Sequence, residues 1–257
     1  MKKLIEKYGL DKLNSLTKYP SILTYHNLGE KGTLLNTLTE GKSFQNQDYF
    51  VSEKINGTNT RIILYKNDFL IGSREEILYF KGDLIGNPVL NIVNTVKQYA
   101  EKLSLNYHDR LFVFYGETYG GNINRESKQY TSKKEYNYNS FDISEMEFEE
   151  VEDLLSKSIN DIASWREHGG QKFLNLYDFY DYNNYNLIPF VPHLTSFNGN
   201  QFPTDLEKTY EYMKNFKETK AGIDFNGKSE GIVIRSFDRS FIRKLRFEEY
   251  EKTLKIK

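Results

Sequence analysis

Glu53-Lys54-Ile55-Asn56-Gly57-Thr58-Asn59 begins where one strand-like run, DYFVSEK (48–54), ends, and another, TRIILYK (60–66), follows at once. Alternating aromatic and β-branched residues predict both strands, and Asn56-Gly57 supplies the turn between them. Reading outward, DFLIGSR (68–74) is a third strand, with Asn67-Asp68 as its hairpin signal. LFVFYGE (111–117) reads as a buried strand ending in a carboxylate, and YNSFDI (138–143) as another. EGIVIRS (230–236) and FIRKLRF (241–247) form a last pair. Between them lie helical patterns. Asn87-Pro88 opens one that carries Val89, Ile92, Val93, Val96 and Leu103 at helical spacing. MEFEEVEDLLSK (146–157) is amphipathic with an acidic first turn, and Thr204 caps a helix over Asp205–Phe216. The first forty residues read as a short helix and irregular chain around Tyr19-Pro20-Ser21-Ile22, residues 120–134 as a polar loop, and LIPFVPHL (187–194) as an extended segment. With no repeat and no Pro/Gly-rich linker, this is an α+β protein of antiparallel sheets with helices packed outside, expected as one domain over 1–257.

Composition narrows the function. The 257 residues carry 35 basic and 36 acidic side chains, so any polyanion must be met by a local basic patch rather than a global field. The absence of cysteine removes disulfides, thiolate nucleophiles, iron–sulfur clusters and cysteine zinc sites. No run approaches the ~18 apolar residues of a membrane span, and Glu6 and Lys7 interrupt the apolar stretch a signal peptide needs. An intracellular protein, cytoplasmic or nuclear, without a membrane partner is the expectation. Its 20 Tyr and 18 Phe suit sheet faces and base stacking alike, and packing takes most of them.

One motif is refused. Gly222 to Ser229 satisfies the phosphate-loop string G-x-x-x-x-G-K-[ST], but that loop needs a strand before it and a helix after it, whose N-terminal amides hold the phosphates. Here the helical YEYMKNFKETKA precedes and the β-branched EGIVIRS follows. A turn between strands explains the same glycines.

A lone K-x-x-G carries no information, and Lys228–Gly231 is a second one. The company of Lys54 is what counts. Gly72-Ser73-Arg74, Tyr115-Gly116-Glu117, Phe141-Asp142-Ile143, Glu230–Arg235 and Arg243-Lys244-Leu245-Arg246 follow in order, each in or at the end of a strand. This ordered set resembles the motifs of covalent nucleotidyltransferases, which implies attack by a side-chain amine on the α-phosphorus of a nucleoside triphosphate; that amine must be uncharged, and an ordinary lysine has a pKa of ~10.4. Cations such as Arg74, Lys244 and Arg246 favour the neutral form and cradle phosphates, while the transition state gains charge that they stabilise. Glu117 and Glu230 suit ribose hydroxyls or a hydrated Mg²⁺. Phe141 offers a flat face to adenine, and Gly57 permits close backbone approach. Taken singly, each has a plain structural role: a strand lysine, surface ion-pair carboxylates, a core phenylalanine.

Of these enzymes, the polynucleotide ligases and mRNA capping enzymes, the set is most similar to the RNA ligase 2 family. E-K-I-N-G-T-N (53–59), Y-G-E-T-Y-G (115–120), S-F-D-I (140–143), E-G-I-V-I-R (230–235) and R-K-L-R-F (243–247) carry the resemblance. DNA ligases and capping enzymes typically show K-x-D-G-x-R, where Asn56 and Asn59 stand here. The resemblance implies a nucleotidyltransferase (adenylation) domain with an ATP-grasp-like ligase core. It makes Lys54 the residue that carries AMP from ATP, with Mg²⁺ or Mn²⁺ as cofactor. Glu53 and Phe141 would contact adenine, Asn59 the nucleotide, Arg74 a phosphate or ribose group, and Glu117 the ribose. Glu230 would hold the metal, and Lys244 and Arg246 the α-phosphate. AMP then moves to a 5′-phosphate end, and a 3′-hydroxyl displaces it to seal the strand.

There are departures. Asn56 stands where family members often have His and cannot titrate, and Arg246 replaces a lysine. Few residues follow Arg246, so neither an OB-fold nor a helical C-terminal domain is expected. That makes RNA, or a nicked RNA/DNA duplex, the expected partner of a monomer assisted by an accessory nucleic-acid-binding protein, and a compact ligase suits a viral or phage genome. The rival readings are a DNA ligase, a GTP-dependent capping enzyme, and a catalytically silent end-binding protein. Of the other candidates, the basic stretch Arg125–Lys134 reads as a solvated loop whose Lys and Arg beside Tyr130 are candidates to touch phosphates, and His193 is a candidate to line the approach to the nucleotide. His26, His108 and His168 show no metal spacing and read as loop or surface residues.

Overall fold

A computed structural model describes every residue except 82, 85–90, 107, 185, 186 and 257. The chain opens with two short helices, α1 (Lys2–Tyr8) and α2 (Leu10–Leu16). A ribbon of β1 (His26–Leu28) and β2 (Leu34–Leu38) follows. Next come β3 (Asp48–Lys54), β4 (Thr58–Tyr65), β5 (Asp68–Ser73), β6 (Ile77–Phe80) and the short β7 (Asp83–Leu84). Beyond them lie α3 (Ile92–Ser104), β8 (Leu111–Gly120) and β9 (Tyr136–Met146). α4 (Phe148–Ser156), α5 (Ile159–Glu167), β10 (Lys172–Phe173) and α6 (Leu176–Asn184) continue the chain. β11 (His193–Asn198), α7 (Leu206–Met213), β12 (Gly231–Ser236), β13 (Ile242–Arg246) and α8 (Phe247–Leu254) complete it.

These elements fall into two units. The first takes Met1–Ser21, Gly57–Asn124 and Tyr136–Phe190, and the second Ile22–Asn56, Arg125–Glu135 and Val191–Lys257. Unit 1 is built on a seven-stranded antiparallel sheet in the order β10-β9-β8-β4-β5-β6-β7. One face of this sheet, with Ile63, Val113 and Tyr115, packs against Leu4, Leu13, Leu16, Val151, Leu155 and Ile162 of the helices. In α3, the buried Ile92, Val96, Ala100 and Leu103 recur at helical spacing. Unit 2 holds a four-stranded antiparallel sheet, β11-β3-β12-β13, and the β1-β2 ribbon. Its core joins Tyr49, Val51, Ile232, Ile234 and Leu245 to Tyr210, Met213, Phe247 and Tyr250 of α7 and α8. The α+β class of antiparallel sheets and flanking helices is as the sequence pattern implies. Among the described residues no sheet closes into a barrel, and no helix is long and apolar enough to cross a membrane.

Local chemistry shifts several boundaries. The first forty residues form two helices and a ribbon, because Leu4, Leu13 and Leu16 bury against the unit 1 sheet. The β4–β5 turn falls on Lys66-Asn67, with Lys66 at φ 56° and Asp68 already paired with Tyr65. Asp205, not Thr204, caps α7, its side chain accepting from the Lys208 amide at 2.8 Å. The expected helix start at Asn87-Pro88, with Val89, lies outside the described residues. His26 and His108 are buried rather than on the surface. The His26 ring meets the Tyr250 hydroxyl at 2.7 Å and the Thr204 carbonyl oxygen at 3.0 Å.

Burial holds the His26 pKa below the ordinary histidine value, against the opposing pull of the Thr204 carbonyl and Asp205. Below pH ~6.5 the unfolded chain therefore takes up a proton that the folded chain refuses. Folding stability should fall as pH drops from 7 to 5, by at most roughly 1.4 kcal/mol per pH unit from this residue. Urea unfolding across that range checks this: the stability–pH curve of His26→Gln should be flatter than that of the wild type.

Candidate active site

Strand register fixes which side chains share a face of the unit 2 sheet. Gly231 on β12 pairs with Lys54 on β3 and with Arg246 on β13. Val233 likewise pairs with Ser52 and Lys244. Directly opposed residues point to the same face, so Lys54, Lys244 and Arg246 rise from one side of the sheet. Gly231 is the one member of the row that must lack a side chain. A Cβ there would lie 2.0 Å from the Leu245 carbonyl oxygen.

Glu230, just before β12, ties this row together. Its Oε2 accepts from Lys54 Nζ at 2.7 Å, and its Oε1 lies 3.0 Å from Arg246 Nε. Arg246 also reaches Glu249 Oε1 at 3.3 Å through Nη1. Burial lowers the Lys244 pKa from the ordinary lysine value, and the charges of Arg246 and Lys54 act the same way. Burial pushes the Glu249 carboxyl up, and its buried Oε2 has no hydrogen-bond partner among the described residues. Glu249 escaped the sequence reading. The available signal was its position three residues after Arg246, in the acidic first turn of α8. Among the described residues no group of three or more acidic or histidine side chains gathers as a metal cage. Glu230 and the orphaned oxygen of Glu249 are the carboxylates here that could serve a Mg²⁺-type ion, which takes one or two carboxylates and completes its shell with water and phosphate oxygens.

Glu53 alternates to the opposite face. It is buried and accepts from the Thr219 hydroxyl, from Lys220 N at 2.7 Å and from Ala221 N at 3.1 Å. Burial pushes this carboxyl up, opposed by those three donors. The Lys54 loop is held from beneath. Asn56 N donates to the Tyr130 hydroxyl at 2.7 Å, and Tyr130 is fully buried. Tyr130 therefore supports the chain that carries Lys54. Around it, Ile223 N donates to Tyr130 O at 2.7 Å and Gly227 N to Gln129 O at 2.8 Å. The glycines of the phosphate-loop string thus sit in a loop that passes into β12, without the helix such a loop requires.

Unit 1 carries the other candidates. The stretch 53–59 crosses into it at Gly57, whose amide donates to Glu117 Oε1 at 3.1 Å. A Cβ on Gly57 would stand 2.2 Å from the Thr118 carbonyl oxygen. Asn59 is paired with Glu117 across β4 and β8, and its buried Oδ1 has no hydrogen-bond partner among the described residues. Phe141 is half-buried on β9, edge-on to Tyr19 at 5.0 Å, and the Tyr19 hydroxyl donates to Asp142 at 2.9 Å. Arg74 lies beyond the end of β5, 73% exposed, with its Nε 3.6 Å from Glu75.

Comparison with known proteins bears on the family and the fold. The profile of the RNA ligase family matches residues 47–257. The chain belongs to the RNA ligase family. It is similar in fold to solved structures of an RNA ligase from Naegleria gruberi. One, a variant with ATP and Mn, matches at a TM-score of 0.53 and 15% identity over 93% of this chain and 64% of that one. Another, with PPi, matches at 0.53 and 14% identity over the same shares. A third, a variant with AMP and Mn, matches at 0.53 and 15% identity over 93% and 65%. The chain thus spans just under two thirds of the length of these relatives. Among curated protein sequences none matches significantly.

Removing the Tyr130 hydroxyl leaves the Asn56 N–H without this acceptor. Tyr130→Phe should lower folding stability by about 1–2 kcal/mol. Urea denaturation followed by circular dichroism measures this, and an unchanged midpoint would mean that water replaces the phenol.

Proposed function

We propose that this chain is an ATP-dependent RNA ligase that joins 3′-hydroxyl and 5′-phosphate ends through a lysyl-AMP on Lys54. The observation that carries the reading is the Lys54–Glu230–Arg246 bridge on a sheet face that also bears Lys244. A lysine held on a carboxylate at 2.7 Å has a proton acceptor in place. When that proton passes to Glu230, the amine lone pair is free to attack the α-phosphorus. A P–N bond forms, the bond from the α-phosphorus to the bridging oxygen breaks, and pyrophosphate leaves. Lys244 and Arg246 oppose the charge that builds on the α-phosphate oxygens. Glu230 and Glu249 would hold a Mg²⁺ or Mn²⁺ ion, which when bound would supply Lewis-acid charge neutralisation at the phosphates.

On unit 1 the same reading assigns the ribose to Glu117, the nucleotide to Asn59, a phosphate or ribose group to Arg74, and adenine to Phe141. It assigns Glu53 to adenine as well, while the Glu53 carboxylate sets the 219–221 loop. In the second step AMP moves to a 5′-phosphate. In the third the 3′-hydroxyl oxygen attacks that phosphate, and AMP departs.

Incubation with α-labelled ATP and Mg²⁺, resolved on a denaturing gel, tests the first step. Wild type should carry label, and Lys54→Ala should carry none. Glu230→Ala should slow labelling by ~100-fold or more, the scale of a lost proton acceptor. Label from GTP but not ATP would favour the capping chemistry, and an unlabelled wild type would sink the covalent mechanism.

A further inference from the structure

The face of the unit 2 sheet that bears Lys54 continues beyond the residues used above. On the far side of β3 from β13, His193 of β11 pairs with Ser52 beside an irregularity in register, and its stack on Phe50, which alternates onto the same side of β3 as Ser52 and Lys54, sets it on the Lys54 face. Its imidazole lies flat on the Phe50 ring, with centroids 4.1 Å apart and planes inclined by 11°. Nε2 meets Ser196 Oγ at 3.1 Å, which fixes the rotation of the ring. His193 is exposed, so the stacked ring is open to solvent. A flat, oriented and solvent-facing π surface of this kind is what a nucleobase stacks on, whatever its identity.

We propose that the His193–Phe50 pair is a stacking platform for a nucleobase at the polynucleotide end being joined. The inference rests on the ligase reading and extends it to the second substrate. Position argues for the polynucleotide rather than for ATP. The phosphate-facing cations Lys244 and Arg246 stand on β13, two strands from β3 on one side. His193 stands one strand away on the other side. Strands are ~4.8 Å apart and two residues advance ~6.6 Å along a strand, which sets His193 about one nucleotide from the base of Lys54. A base on this platform therefore lies across the amine from the cations that would hold the triphosphate.

The test uses two single-stranded RNA octamers, each 5′-phosphorylated, with 2-aminopurine at the 5′ end of one and the 3′ end of the other. Stacking quenches 2-aminopurine emission, so wild type should quench at least one probe. His193→Ala should lose the quench and bind that probe at least ~5-fold more weakly, the lower edge of one base stack. His193→Phe, which keeps a flat ring over Phe50, should restore both. Quenching of neither probe by wild type overturns the platform, as does equal quenching and affinity in His193→Ala. Loss of ATP-derived label in His193→Ala with RNA binding intact also overturns it, by moving the ring to the nucleotide. The two readings fail separately: quenching by a wild type that takes no label sinks the ligase chemistry alone, and label without quenching sinks the platform alone.

Discussion

One carboxylate organises the charged face of unit 2. Glu230 meets Lys54 with one oxygen and Arg246 with the other, and it can do so only because Gly231 brings β3 and β13 into register on either side of it. A side chain at Gly231 would collide with the β13 backbone and open the row. Lys54 and Glu230 are each about four-fifths buried, with side-chain exposures of 20% and 17%. Desolvation of such a pair offsets most of its Coulombic gain, so it adds little to stability. Clusters of this kind, with burial-shifted groups such as Lys244 and Glu249, gather where chemistry needs them.

The loops that present this face are secured by groups that make no claim to chemistry. Glu53, one residue before Lys54, turns to the other side of the sheet and binds the 219–221 backbone. Tyr130 takes the amide of Asn56, two residues after Lys54. The lysine is therefore flanked in sequence by two anchored neighbours. Anchoring on both sides restricts where its amine can go, which is the precondition for in-line attack.

How much of this was legible in the sequence depends on whether a residue acts through its neighbours in the chain or through distant ones. Lys54, Glu230 and Arg246 were legible because each sits at a strand end whose pattern is local, and strand pairing then did the rest. The antiparallel α+β character was legible for the same reason. Glu249 was not, because its part depends on α8 starting at Phe247, inside what reads as a continuous strand FIRKLRF. The supporting part of Tyr130 was not legible, because its basic, polar neighbourhood reads as a solvated loop. Its burial comes from Gln129 and Tyr130 pairing with the backbone of Ile223 and Gly227, almost a hundred positions onward. His26 was misread: its partners, Tyr250 and Thr204, are invisible from the ribbon it belongs to.

The charge balance of the cluster gives the ligase reading its sharpest physical form. Lys54, Lys244 and Arg246 oppose Glu230 and Glu249, which leaves a single excess positive charge on the face. A triphosphate brings several negative charges and competes with both carboxylates for the same three cations. If the Lys54 proton passes to Glu230, the two opposite charges of the pair vanish together and the net charge stays the same. What changes is that Arg246 loses one of its two carboxylate partners, keeping Glu249, and turns more readily to phosphate oxygens. Proton transfer within the bridge would thus free the nucleophile and loosen the hold on a phosphate-binding cation in one event. A lysine held apart from Glu230 could be neutralised without that second consequence.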